Sequence, residues 1–306
     1  MSFSEDVRAE LAGIAPAREC DRLAELSALF HFAGRLHLLG RGEVSLHLDL
    51  SSPAAARRAF TLLRAFGVRS EIRTYQRRAF GRETRYQLHV EGGAPALELL
   101  ERAGVVDARS RPRDRPTKRV VSRSCCRSAY VRGALLAAGS VSSPPSAHLE
   151  VRAESRDGAD AVAAAASAEG GELQVVERGD HAIAYAKGID RIAGVLAAAG
   201  ASEAALALQE RAVVGSTRAR ANRLANADHA NLVRTGRAAH AQLQAVRRLE
   251  RSGRLEALAP PLKEMAALRL KHPSLSLREL GVKCKPSASK STAQRRLNAL
   301  VKLAKQ

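Results

Sequence analysis

One order of hydrophobic periodicities is written twice in the first two-thirds of this chain, and any fold must accommodate both copies. The first copy runs from about Arg22 to Val106. An amphipathic stretch over residues 23–34 predicts a helix, and the alternation Val44-Ser-Leu-His-Leu-Asp-Leu50 predicts a strand. A helix over 53–66 follows, then strands near 71–75 and 86–91, then a helix over 94–103 ending at Gly104. From Arg127 the order repeats: helix to Gly139, strand 148–153, helix 158–168, strands near 172–177 and 182–187, and helix 189–199 before Gly200. The closing Ala-Gly of each copy suits a glycine helix cap. Between the copies, residues 109–123 carry Pro112, Pro116 and seven basic residues and read as an exposed linker. A rival reading, two unrelated α/β domains, requires the matching order to be coincidence.

Both opening helices end in small residues, Ala33-Gly34 and Ala137-Ala138-Gly139, which would let two helix backbones approach closely across a pseudo-two-fold axis. Leu135-Leu-Ala-Ala-Gly-Ser-Val141 and, less clearly, Phe30-His-Phe-Ala-Gly-Arg-Leu36 resemble the LAGLIDADG motif of homing endonucleases. That resemblance implies paired helices at a domain interface and two sheets forming a DNA-binding saddle. In active enzymes of that family an acid before the last glycine ligates the catalytic metals; here those positions are Ala33 and Ala138. A methyl group cannot ligate a hard cation. The expectation is a scaffold without catalytic residues, metal or cofactor, and not an enzyme.

Charge divides the chain differently. Of the formal +19 over 306 residues, +16 falls on residues 211–306, which hold 21 Lys/Arg against 5 Asp/Glu. Such asymmetry marks a nucleic-acid-binding module. With no Trp, four Tyr and six Phe, stacking on single strands is disfavoured. Cys20, Cys125, Cys126 and Cys284 have no structural zinc spacing along the sequence and read as reduced thiols, Cys126 as core. No run of 18 apolar residues occurs, and residues 1–10 carry charges where a signal peptide would be apolar, so a cytoplasmic, nucleoid-associated protein is expected.

The basic third ends in a helix-turn-helix pattern. Residues 258–273 predict a helix with prolines in its first turn, Leu262, Met265, Leu268 and Leu270 on its apolar face, and Pro273 as its stop. Ser276 and Glu279 form a capping box for a short helix ended by Gly281. A last helix, roughly 289–305, buries Ala293, Leu297, Leu300 and Ala304 and presents Lys290, Ser291, Thr292, Gln294, Arg295, Arg296, Asn298 and Lys302. Arg and Gln can read guanine and adenine edges, whereas Lys290 and Arg296 can equally clamp phosphates. Arg278, Lys285, Arg220 and Arg223 complete the candidate DNA contacts. Upstream of an amphipathic helix over 237–255, Asn222, Asn226 and Asn231 read as caps or packing residues, with DNA contact beside Arg220 and Arg223 as the alternative.

The whole order resembles the WhiA-type regulators of sporulation and cell division in Gram-positive bacteria. The resemblance rests on the start Met-Ser-Phe-Ser-x-Asp-Val-Arg-x-Glu-Leu, on residues 124–141, on Asn222-Arg-Leu-Ala-Asn-Ala-Asp-His-Ala-Asn-Leu232, and on Leu275-Ser-Leu-Arg-Glu-Leu-Gly281 with Ser289-Lys-Ser291. Lys283-Cys284-Lys285 departs from the neutral or apolar turn usual there. It implies an α+β fold: a degenerate duplicated LAGLIDADG domain (1–108, linker 109–123, and 124–210), basic connecting helices (211–257), and an all-α helix-turn-helix (258–306) like region 4 of sigma factors. It also implies a transcription factor acting on double-stranded promoter DNA, with another transcription factor or RNA polymerase as a further partner and no membrane partner. The competing functions are an active homing endonuclease and a nucleoid-anchored protein–protein adaptor.

Overall fold

Apolar residues at period two and period 3.6 alternate through the first unit, and the backbone follows them. The computed structural model describes residues 2–40, 43–77 and 83–306, and Met1 of the amino-terminal motif lies outside that range. The chain divides into two compact units, Met1–Ser216 and Thr217–Gln306.

The first unit opens with helix α1 (Phe3–Gly13), whose Phe3, Val7 and Leu11 are buried. The first repeat follows as α2 (Glu19–Ala33), β1 (Gly34–Gly40), β2 (Glu43–Leu50), α3 (Pro53–Ala65), β3 (Ser70–Arg77), β4 (Glu83–Val90) and α4 (Ala94–Arg102). The second is α5 (Ser124–Ala138), β5 (Gly139–Val141), β6 (His148–Ala153), α6 (Arg156–Ser167), β7 (Gln174–Arg178), β8 (His181–Lys187) and α7 (Ile189–Ala199). The two antiparallel sheets have the same order, β1-β2-β4-β3 and β5-β6-β8-β7. Leu46, Leu48 and Leu50 point inward from β2, and Leu149, Val151 and Ala153 from β6. The duplication is therefore a real structural repeat. Gly104 and Gly200 lie at positive φ after α4 and α7, the left-handed geometry that stops these helices.

Three elements go beyond the sequence reading. Strands β1 and β5 start directly at the glycine that ends each opening helix, and the sequence reading has no strand at either place. Helix α1 is also new: its Glu10 carboxylate accepts the N–H groups of Glu203 and Ala204 at 2.9 and 2.8 Å, capping the first turn of α8 (Ser202–Arg251). The segment between the repeats is mostly exposed, but Val120 tucks against Ala24, Cys126 and Ala129, and Asp107 accepts the N–H groups of Arg109 and Arg111.

Helices α2 and α5 pair closely because small residues face each other. A Cβ on Gly133 would lie 2.4 Å from the carbonyl oxygen of Glu25 and 2.8 Å from Ala28 Cβ. Superposing the repeats on Gly34 and Gly139 matches Ala28 with Gly133 and Glu25 with Tyr130. The symmetry is thus broken at the interface itself. Glu25 is fully buried and accepts Arg58 Nε and Nη2 at 2.6 and 3.0 Å and Arg132 Nε at 3.0 Å. Arg132 Nη1 also donates to the Ala199 carbonyl at 3.2 Å, at the negative end of α7. One carboxylate so ties a first-repeat helix, α3, to the second repeat; removing it would strand two buried cations, at a cost of about 3–5 kcal/mol.

The second unit contains α8 from Thr217 onward, a 3-10 turn at Arg254–Ala257, α9 (Pro260–Lys271), α10 (Leu277–Lys283) and α11 (Lys290–Leu303). The predicted break before a helix over 237–255 is absent, since α8 runs unbroken through Asn222, Asn226 and Asn231. All three asparagines are exposed mid-helix and neither cap nor pack. Ala, Arg and Leu dominate this stretch and favour helix strongly enough to carry its asparagines and glycines. Gly281 does not end α10, which continues to Lys283.

Gly133→Ala gains helix propensity but drives a methyl into backbone. We expect it to lower stability by about 1–3 kcal/mol in urea denaturation, against the stabilisation an exposed helical Gly→Ala would give. A pH effect comes from His31 on α2, whose Nδ1 lies 3.3 Å from Ser27 Oγ and whose ring packs edge-on to Tyr130. Burial lowers its pKa to about 4. The unfolded chain binds a proton below roughly pH 6.5 that the folded state refuses, so stability falls as pH drops through that window. Between pH 7 and 5 this amounts to about 2 kcal/mol. Urea titrations of His31→Phe at both pH values should show a correspondingly flatter dependence.

Candidate nucleic-acid interface

The pattern of residues 276–304 dictates two helices at an angle with one shared core. Ser276 accepts the Glu279 N–H and Glu279 accepts the Ser276 N–H at 2.8 Å, completing the capping box that starts α10. These bonds hold the Glu279 carboxyl below the usual carboxylate range. Ser289 caps α11 by accepting the Thr292 N–H at 3.2 Å. Ala293, Leu297, Leu300 and Ala304 are buried against Met265, Ala266, Leu280 and Cys284, and Ala245, Val246 and Leu249 from the end of α8 complete the core. Arg248 of α8 donates to the carbonyl of Ala304 at 3.3 Å.

The turn between the helices is set by backbone contact. The Ala288 N–H donates to the Gly281 carbonyl at 2.8 Å, and a Cβ on Gly281 would meet the Ala288 carbonyl oxygen at 2.3 Å. Glycine is present for this close approach rather than as a helix stop.

Opposite the buried stripe, α11 exposes Ser291, Arg295, Asn298 and Lys302, spaced 4, 3 and 4 like the core stripe itself. Lys290 is also exposed at the amino-terminal end. Thr292 and Gln294 are half-buried at the margin, with Gln294 Nε2 3.4 Å from Asn298 Oδ1 and Arg295 Nη2 3.5 Å from Thr292 Oγ1. Arg296 differs from its neighbours. It turns inward, 3.7 Å from Glu264 Oε2. Arg278 on α10 and Lys285 in the turn are exposed in the same module. Arg220 and Arg223 are exposed on α8, but lie about 35–40 Å up the helix from Val246, where α8 joins the core. The structure therefore gathers ten of the twelve candidate residues in one three-helix module and leaves these two apart.

Two residues that organise this surface carry no periodic signal. Glu264 on α9 accepts the Lys285 N–H at 2.6 Å with one oxygen and faces Arg296 with the other, linking three segments. Its only mark in the sequence is being one of five acids in the basic third. Arg269, placed among leucines on α9, is buried and donates to the carbonyls of Pro273 and Leu275 at 3.3 and 2.8 Å, fixing the α9–α10 turn.

In the first unit, Ala33 and Ala138 sit at the carboxyl ends of α2 and α5, where the endonuclease motif would carry its metal-ligating acids. Among the described residues no group of three or more metal-ligating side chains lies at these helix ends; the single such cluster is at the opposite, amino-terminal ends. No helix among them is long and apolar enough to cross a membrane.

Comparison with known proteins follows the same division. Residues 19–106 match the WhiA N-terminal LAGLIDADG-like domain, 127–218 the WhiA LAGLIDADG-like domain, and 221–304 the WhiA C-terminal HTH domain. Proteins named "Probable cell division protein WhiA" from Symbiobacterium thermophilum and Heliobacterium modesticaldum are 37% and 34% identical over 306 residues, covering 99% of this chain and 98% and 96% of those proteins. This chain belongs to the WhiA family. The crystal structure of full-length DUF199/WhiA from Thermatoga maritima shares the fold over 100% of this chain and 98% of that one, with TM-score 0.58 and 23% identity. The isolated N-terminal LAGLIDADG domain of DUF199/WhiA covers 65% of this chain and 90% of its own, with TM-score 0.52 and 19% identity. The family thus supplies a helix-turn-helix DNA-binding module, as the basic third suggests, behind a degenerate LAGLIDADG-like repeat.

Gly281→Ala should separate packing from charge in this module. We expect a loss of about 1–3 kcal/mol confined to the second unit's calorimetric transition, with duplex affinity falling although no cation is removed.

Proposed function

We propose that this protein is a sequence-specific DNA-binding transcriptional regulator of cell division and sporulation genes, working from a catalytically silent homing-endonuclease scaffold. The observation that carries this reading is the two-sided character of α11. Its apolar stripe is locked against α9 and α10, and the opposite stripe of Ser291, Arg295, Asn298 and Lys302 is left free with Lys290 at its amino-terminal end. In a helix-turn-helix the amino-terminal half of the second helix enters the major groove. On that reading Arg295 and Gln294 read base edges, and Lys290, Lys302, Arg278 and Lys285 hold phosphates. Arg296, paired with Glu264, supports the turn and contributes field more than contact. Arg220 and Arg223 extend the positive field along α8.

The relatives are named as cell division proteins, which favours division genes as targets. RNA polymerase or a second transcription factor is the partner expected of a promoter-bound regulator, and the setting is the cytoplasm at the nucleoid. Silence of the scaffold is supported by Ala33 and Ala138, since phosphodiester hydrolysis by two metals needs oxygen ligands at that place. Only +3 of the net charge falls on residues 1–210, a weak field for gripping long DNA.

Full-length protein on promoter fragments tests the assignment. Arg295→Ala is expected to weaken specific binding roughly 5- to 150-fold and to relax the preference at one base pair. Lys302→Ala should weaken binding to all sequences alike and reduce the log–log salt slope by about one unit. Discrete cuts in supercoiled or linear DNA incubated with magnesium or manganese would show an active endonuclease instead. Footprints with no discrete protected sequence would favour the adaptor.

A further inference from the structure

The paired helices meet at their amino-terminal ends as well as along their length, and those ends carry three of the chain's four cysteines. Cys20 and Asp21 lie in the first turn of α2, Cys125 and Cys126 in the first turn of α5. Matching Gly34 to Gly139 places Cys20 opposite Cys125 and Asp21 opposite Cys126, so each repeat contributes two adjacent donors to one point near the pseudo-two-fold axis. Along the sequence they form no zinc motif, because each half is a bare dipeptide separated from the other by a whole repeat.

Their donor atoms all lie within 4.8 Å of one another. Cys125 Sγ is 3.9 Å from Cys126 Sγ, Cys126 Sγ is 3.7 Å from Asp21 Oδ1, and Cys20 Sγ is 3.5 Å from the same oxygen. A tetrahedral ion with metal–sulfur bonds of about 2.3 Å and a metal–oxygen bond of about 2.0–2.2 Å has S···S edges of about 3.8 Å and S···O edges of about 3.5 Å. The three measured edges match those of such a tetrahedron. The donors are too close together to surround a multi-iron cluster, and three thiolates with one carboxylate suit zinc among divalent ions.

We propose that Cys20, Asp21, Cys125 and Cys126 form a structural zinc site that staples the two repeats together. All four positions of the tetrahedron are filled by protein, so the site is closed and non-catalytic. Its surroundings fit that role. Arg18 Nη1 lies 3.7 Å from Cys125 Sγ and offsets the excess negative charge of four anionic ligands around a divalent ion. Ala24 and Ala129 pack against the site from one side. A surface hollow lined by Leu23, Arg119, Val120 and Arg123 reaches Cys20 and Cys126 from the other and provides an entry path. Binding replaces the thiol protons by the ion.

Full-length protein purified under reducing conditions without chelator should contain about one zinc per chain by elemental mass spectrometry. After zinc removal, cobalt(II) alone should give the intense visible bands of a tetrahedral thiolate complex. Cys20→Ser, at a half-exposed position that preserves the core, should lose the zinc and those bands, while Cys284→Ser in the other unit should keep both. Zinc-free reduced protein that gives no cobalt–thiolate bands would overturn the proposal. So would a Cys20–Cys125 or Cys20–Cys126 disulfide found by mass spectrometry in protein never exposed to added oxidant.

Discussion

The close approach of α2 to α5 underlies the rest of the first unit. Two helices can come this near only where side chains vanish, and Gly133 against the Glu25 carbonyl, with Ala28 beside it, supplies that absence. Everything buried at the seam then has to be satisfied without water. Glu25 does so with two guanidiniums, one from each repeat, and Arg132 passes part of its charge to the end of α7. Removing one partner of this cluster would leave a buried charge uncompensated, so the three groups are retained together.

The second unit solves a smaller version of the same problem. Two short helices and their turn have little core of their own, so they borrow Val246 and Leu249 from α8 and Met265 from α9. Glu264 and Arg269 then fasten the turns on either side of α10 to α9. With the inner face thus occupied, the outer face of α11 carries no structural duty and is free to hold residues chosen for contact. That division of labour on a single helix leaves the module one face held by packing and one face open to solvent.

Much of this was legible before any coordinates. The repeat order, the capping box of Ser276 and Glu279, and the stripe Ala293–Leu297–Leu300–Ala304 follow from periodicity, because alternation and 3.6-residue recurrence are local signals. The misses have equally local explanations. Gly281 looks like a helix stop because glycines commonly are, and only the fold brings the Ala288 carbonyl against it. Asn222, Asn226 and Asn231 look like caps because their side chains compete for backbone bonds, yet enough helix formers surround them to override that preference. Arg296 reads as one more cation on a basic helix, and its inward turn depends on an acid 32 residues upstream.

By itself the sequence determined the duplication, the absence of acids at Ala33 and Ala138, the concentration of charge in the last third and the amphipathic last helix. These are properties of composition and short-range spacing, and they survive in a one-dimensional string. Tertiary structure alone decided which buried charges pair, where the α10 turn closes, and that two distant dipeptides, Cys20-Asp21 and Cys125-Cys126, bring four atoms able to ligate a metal within 4.8 Å of one another. Each of those depends on helix packing across a pseudo-two-fold axis, and the distance between partners there is set by side-chain volume in three dimensions, for which sequence separation is no guide.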